Sequence, residues 1–378
     1  MLITRPTLMV NPQVARRNIR AMMEKFSRLK VRLRPHFKTH QSLEVGRWFK
    51  KEGVRAITVS SVEMAARFIA DGWRDVLIAL PMNPNEIPVI NTWPDDLVLH
   101  LLVDHVAAVD RAAGLLKRPV EMWLKIDTGA RRCGLVPGES KAVMDLIRRI
   151  ERQPRMRLRG LLTHAGHTYA AGKPSGIRRC HRDSLAQMVA VKKWIRDAGG
   201  PELEISIGDT PACSVCNGFL GVSEVRCGNF VFYDIMQYRL GSCRLRDVAV
   251  RLICPVIGSY PQRGEVVVHG GKVHLSAENI SGDDGKPFYG LVAACHADDP
   301  WPAPFPRASV RSLSQEHGVV YLGGKRAARF LPGDLLAVVP VHSCLTADLS
   351  THMIDPRGRL VESTLPGGSD CHCVSPRN

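Results

Sequence analysis

Lys38 lies in Arg34-Pro35-His36-Phe37-Lys38-Thr39-His40, where a short strand-like segment (31–33) hands over to a helically spaced one (43–51). A lysine at such a junction is ordinarily a solvated loop residue. Its chemical alternative is Schiff-base formation with a carbonyl, which requires a lowered pKa and shielding from water. Other reactive types end further apolar runs: Lys125-Ile126-Asp127-Thr128-Gly129 with Arg131, Arg132 and Gly134 close behind, and His164-Ala165-Gly166-His167-Thr168-Tyr169. Gly208-Asp209-Thr210-Pro211 and Cys227-Gly228-Asn229 place glycines and donors at two more run ends. Such turns can present backbone N–H groups and hydroxyls to a phosphate at a helix N-terminus. Far along the chain, His342 and Cys344 are two residues apart. Read as the end of a strand, both leave the same face, and imidazole with thiolate suits Zn²⁺.

These groups need a scaffold, and the periodicity supplies one. Strand-like runs fall at 31–33, 56–59, 75–80, 97–103, 120–126, 158–163, 204–207 and 224–226, mostly separated by helical segments such as 177–198. Eight strands alternating with helices in this length predict a parallel (β/α)8 barrel; a doubly wound open sheet shares the pattern. The barrel is favoured because the Lys, His, Thr and Gly residues cluster at strand C-terminal ends, where barrel sites are built. After about Leu240 the pattern changes to β-branched runs at 248–256, 265–268, 272–275, 319–322 and 335–341, separated by Gly, Pro and Asp turns. This predicts a mostly antiparallel β domain. The expected division is a barrel over 12–240 and a β domain over 241–378, with a strand from 1–11 added to the latter. The tail 367–378 is expected to be loose.

Composition narrows the function. Lys+Arg total 52 against Asp+Glu 36, a formal charge of +16, but the basic residues are scattered and aromatics make up only 6%. No basic, aromatic-interleaved run supports nucleic-acid binding, whereas a positive field attracts anionic small molecules. The eleven cysteines show no disulfide rhythm and are read as free thiols of a reducing compartment. Cys213-x-x-Cys216 and Cys371-His372-Cys373 resemble metal or redox fragments but lack a second pair at zinc spacing. No signal peptide and no run of membrane-spanning length is read, so the expectation is a soluble cytoplasmic protein.

Taken in order, the motifs resemble fold-type III pyridoxal-phosphate enzymes, and within them the D-threonine aldolase/D-serine dehydratase group. The resemblance rests on 34–40, 125–134, 164–169, Gln315-Glu316-His317-Gly318 and Pro340-Val341-His342-Ser343-Cys344-Leu345-Thr346, and covers almost the whole chain. It implies pyridoxal 5'-phosphate held through Lys38, with Arg132 (by spacing, rather than Arg131) and Tyr169 near it. Thr210, Gly228 and Asn229 would serve the phosphate. Asp209 replaces a family glycine, and since an acid repels phosphate it is expected to point away. The resemblance further implies a divalent metal on His342 and Cys344, with Zn²⁺ ahead of Mn²⁺ or Mg²⁺, and His317 behind those ligands. The implied activity is a lyase acting on a β-hydroxy D-amino acid, with Lys38 and His342 catalytic, in a homodimer. Retro-aldol cleavage to glycine and an aldehyde is placed slightly ahead. Dehydratase-type elimination to a 2-oxo acid and ammonia is the close alternative, and a metal-independent racemase the third.

Overall fold

The computed structural model describes residues 2–363 except 283, 297, 298 and 300. After β1 (Thr7–Val10), eight strands alternate with helices: β2 (Arg32–Leu33), β3 (Ile57–Val59), β4 (Asp75–Pro81), β5 (Val98–Val103), β6 (Val120–Lys125), β7 (Met156–Leu162), β8 (Glu204–Ile207) and β9 (Glu224–Val225). They form one parallel sheet in the order β2-β9-β8-β7-β6-β5-β4-β3. A parallel bridge between His36 and Thr58 links its two ends, with the Thr58 N–H donating to Pro35 O at 2.9 Å. The sheet is therefore curled into the barrel that the periodicity predicts.

Local chemistry sets the helix starts. Asn11 accepts from the N–H groups of Gln13 and Val14 ahead of the helix Pro12–Arg28, and Ser61 accepts from Met64 N–H ahead of Val62–Ala70. Val14, Ile19, Met22 and Phe26 form the buried stripe of the first helix. The barrel interior also holds a polar cluster. Fully buried Arg34 donates through Nε to Glu224 at 2.9 Å and through Nη1 to Asp75 at 2.5 Å. Trp123 Nε1 donates to His100 Nδ1 at 3.1 Å, so His100 presents its Nε2–H to Asp75 at 3.0 Å.

The second sheet takes β10 (Val250–Tyr260), β11 (Glu265–His269), and, beyond the short hairpin β12 (Ile280–Ser281) and β13 (Pro287–Phe288), β14 (Gly290–Ala294), β15 (Ser309–Leu313), β16 (His317–Tyr321), β17 (Leu335–Pro340), β18 (His352–Ile354) and β19 (Leu360–Ser363). Its order is β11-β16-β15-β14-β17-β10-β1-β18-β19. The pairing is antiparallel except between β1 and β18. One expected strand is absent: Lys272–Leu275 is a single helical turn. Its four residues alternate in polarity, but Gly271 admits the turn and Ser276, at φ 70°, ends it. The tail 367–378 and Cys371-His372-Cys373 lie outside the described residues. All nine described cysteines are free, and no described helix is long and apolar enough to cross a membrane.

Candidate active site

A cavity of about 630 Å³ opens at the C-terminal ends of the barrel strands, facing the β domain. Every cofactor or metal candidate borders it. Lys38, Arg132, Tyr169 and Thr210 come from loops after different barrel strands, Gly228 and Asn229 follow β9, and His342 and Cys344 come from the β domain. Arg132 borders the cavity, whereas Arg131 sits in a tight turn at φ 52° with its N–H donated to Asp127.

Lys38 is held by its neighbours. Phe37 is fully buried against Phe49, Phe68 and Trp73, and Thr39 is fully buried as well. The Lys38 N–H donates to His36 Nδ1 at 3.3 Å. The Lys38 side chain itself is exposed, so the single chain does not supply the water-shielded setting expected of a Schiff-base lysine. His164 donates through Nδ1 to Gly208 O at 2.6 Å. Burial, reinforced by Lys38 and arginine charges, lowers His164 to about 3 and His36 well below the usual range, so both imidazoles are neutral.

The turns after β8 and β9 fit a phosphate. Thr210 Oγ1 is buried without a hydrogen-bond partner, an orphan of the kind a bound oxyanion satisfies. A Cβ on Gly208 would stand 2.6 Å from Arg226 N, and one on Gly228 2.5 Å from His36 O, so only glycine lets these segments close on each other. Asp209 caps the helix Thr210–Val215: its Oδ1 accepts from Ala212 N–H at 2.7 Å and from Thr168 Oγ1 at 2.8 Å. Its carboxylate is thus turned onto the protein, although the residue still borders the cavity. Asn229 directs its amide nitrogen to Asp234 Oδ2 at 2.5 Å, Ser343 Oγ at 3.1 Å and Cys344 Sγ at 3.4 Å, towards the β domain.

His342 and Cys344 come together, but not as strand residues. The strand ends at Pro340; His342 caps the helix Ser343–Asp348 and Cys344 lies in its first turn. Burial alone would lower the His342 pKa, but contacts with Cys344 and Glu278 outweigh it and lift the imidazole to about 11. Burial alone would raise the Cys344 thiol, but His342 and Thr39 bring it below its usual value. Each group thus favours the charged form of the other, and a His/Cys donor set of this kind attracts a cation. His342 Nδ1 donates to Glu278 Oε2 at 2.5 Å, which leaves Nε2 as its ligand atom, the arrangement of a carboxylate-oriented metal histidine. Thr39 Oγ1 lies 3.2 Å from Cys344 Sγ across 305 residues of chain. His317 is exposed at the start of β16 and does not border the cavity.

Residues 10–235 match the alanine racemase N-terminal domain, and residues 249–354 match a serine dehydratase domain. The chain belongs to the fold-type III pyridoxal-phosphate family. It is similar to the D-threo-3-hydroxyaspartate dehydratase of Delftia sp. (strain HT23), with 31% identity over 90% of this chain and 91% of that protein. A solved structure of the Delftia enzyme superposes with a TM-score of 0.86 at 30% identity, covering 95% of this chain and 96% of that one. A cysteine-to-alanine mutant of that enzyme is described as a metal-free form. The D-serine dehydratase of Dictyostelium discoideum is 28% identical over 96% of both chains. The 3-hydroxy-D-aspartate aldolase of Paracoccus denitrificans is 25% identical over 96% of this chain and 91% of that protein.

Within this fold-type III site, the sequence reading missed Arg226 and Glu278, and quoted Lys125 in a motif without giving it a role. Lys125 is buried, donates through Nζ to Ile126 O at 3.0 Å, and is lowered to about 8, mainly by burial. Arg226 borders the cavity from β9's end, donates through Nε to Ser206 Oγ at 2.7 Å and contacts Thr163 O. Glu278 reaches His342 from 64 residues away. A charge inside an apolar run is the one signal that could have exposed Lys125 and Arg226; Glu278 carries none.

Proposed function

We propose that this chain is a pyridoxal-phosphate- and divalent-metal-dependent lyase of β-hydroxy D-amino acids. The observation that carries this is the meeting of Lys38 and the His342–Cys344 pair on one cavity, with Thr39 bridging them at Cys344 Sγ. When bound, pyridoxal phosphate supplies an aldehyde for the substrate amine and a conjugated ring that withdraws electrons from Cα. Lys38 Nζ is the group that holds it, with Thr210 Oγ1 and the turns at Gly208 and Gly228 around its phosphate. Arg132 and Tyr169 flank it; Asn229 has its amide committed to Asp234, Ser343 and Cys344, so its cofactor contact is through the backbone. A divalent ion on His342 and Cys344, Zn²⁺ before Mn²⁺ or Mg²⁺, supplies Lewis acidity at the substrate β-hydroxyl. Glu278 fixes the His342 ring, and Lys38 Nζ would be the base for the Cα proton. A second copy covering the exposed Lys38 side would supply the missing shield, which supports a homodimer. Free thiols at the described cysteines support a reducing, cytoplasmic setting.

Elimination breaks Cα–H and Cβ–O, and the released enamine takes up water to give a 2-oxo acid and ammonia. Retro-aldol cleavage instead removes the hydroxyl proton and breaks Cα–Cβ, giving glycine and an aldehyde. We place elimination first, because the relatives of 31% and 28% identity are named dehydratases. The aldolase reading, which the family resemblance put slightly ahead because the family is broader on that side, stays second on the 25% relative. Incubation with D-serine, D-threonine and D-3-hydroxyaspartate, with and without chelator, separates them by product. Unchanged turnover in Lys38→Ala would overturn the proposal. Turnover indifferent to both chelation and His342→Ala would remove the metal half.

A further inference from the structure

The Gln315-Glu316-His317-Gly318 motif does not border the catalytic cavity, yet it is part of another constellation. Glu316 lies in the turn between β15 and β16, His269 ends β11, and His274 is on the turn Lys272–Leu275. One donor atom from each lies within 4.8 Å of the other two, the one such His/Cys/Asp/Glu group found among the described residues. Both imidazoles aim Nε2 at the same carboxylate oxygen: His269 at 3.4 Å and His274 at 3.8 Å from Glu316 Oε2. These separations exceed the ~2.7–3.2 Å of N–H···O hydrogen bonds. They approach the roughly 3.4 Å edge of a tetrahedron with ~2.0–2.1 Å metal–ligand bonds. The two rings stand 5.3 Å apart at 87°, so they converge rather than stack.

The setting of the donors supports this. The His274 ring stands against His269 and presents Nε2 to Glu316, while its Nδ1, on the other side of the ring, is buried without a partner and so is not the ligand atom. The loops that carry the donors are also locked together. Gly270 N–H donates to Glu316 O at 2.8 Å and Lys272 N–H to Ser314 O at 2.8 Å, while a Cβ on Gly271 would stand 2.2 Å from Gln315 O. The donors are preorganised by backbone, as metal sites require.

We propose that His269, His274 and Glu316 form a second divalent-metal site, distinct from His342 and Cys344, with water completing the shell. Two imidazoles and one carboxylate select Zn²⁺ or a similar borderline ion over Mg²⁺. The site fastens the segment that ends in Glu278, because the turn bearing His274 packs on the helix bearing Cys344. It therefore steadies the carboxylate that orients His342.

The test is zinc stoichiometry on the cofactor-loaded protein, by equilibrium dialysis at buffered micromolar free Zn²⁺ followed by metal analysis. Relative to wild type, His269→Ala/His274→Ala loses one zinc per chain, whereas His342→Ala/Cys344→Ala keeps that zinc. Glu316→Gln, which preserves shape, weakens the same equivalent at least tenfold. Cobalt added to His342→Ala/Cys344→Ala gives visible d–d bands without thiolate charge transfer. If His269→Ala/His274→Ala and Glu316→Gln, both folded by circular dichroism, bind as much zinc as wild type, the site does not exist. None of these readouts depends on lyase turnover, so failure of the proposed activity leaves them interpretable.

Discussion

Replacing Asp209 with Asn should flatten the pH dependence of apoprotein stability. Asp209 is 4% exposed, and burial pushes its carboxyl up to about 6 despite the hydrogen bonds from Ala212 and Thr168. In the unfolded chain the group titrates near ~3.9, so the difference is about two pKa units, or roughly 3 kcal/mol. Because the folded value is raised, the folded state holds its proton longer. The contribution is fully present below about pH 4 and is lost as pH rises through about 6. Both hydrogen bonds fall on Oδ1, so Asn retains them and never ionises. Urea unfolding of the two apoproteins in phosphate-free buffer measures the effect. Between pH 4.5 and 7.5 the stability gap should move in favour of Asp209→Asn by about 2 kcal/mol, the part of the total that titrates in that window. Parallel profiles, or a gap moving the other way, would refute the assignment of a buried, reluctantly ionised carboxyl.

Other perturbations address other parts of the site. Glu278→Gln should lower metal affinity at His342 and Cys344 by roughly 10–100-fold while cofactor absorbance persists, measured by chelator competition. Gly228→Ala should weaken cofactor retention, read from absorbance after dialysis, because its Cβ would meet His36 O at 2.5 Å. Arg34→Met should destabilise the barrel by about 3–5 kcal/mol in denaturant titration, since it leaves Glu224 buried without its main partner; adding Glu224→Gln should recover part of the loss.

The barrel was legible because its strands are apolar runs closed by glycine, histidine and threonine, and each of the eight begins within two residues of its expected start. The turn Lys272–Leu275 was not legible: Lys-Val-His-Leu alternates as a strand does, and four residues are too few to show that the turn buries Leu275 alone and leaves Val273 exposed. His342 and Cys344 lie together, but not for the reason the spacing suggested, since the two-residue spacing works through a helix cap and first turn rather than a strand face. Glu278 and Arg226 stayed hidden because contacts such as Glu278–His342 and Arg226–Thr163 depend on long-range register. Asp209 looked like a misfit beside a phosphate until its place as a helix cap accounted for it.

β1 is synthesised long before either of the strands that flank it. β1 is flanked by β10 and β18, so its hydrogen bonds wait for residues beyond 250 and then beyond 350. At ~5–20 residues per second of synthesis, that delay is on the order of tens of seconds. The helix Pro12–Arg28, which starts directly after β1, packs into the core it shares with the barrel. β1 is thus tied to the barrel through the helix that follows it and held in the β-domain ladder on both of its edges. Closing that ladder fastens the two halves of the catalytic cavity to each other, so the chain's opening residues act as the clasp that completes the site.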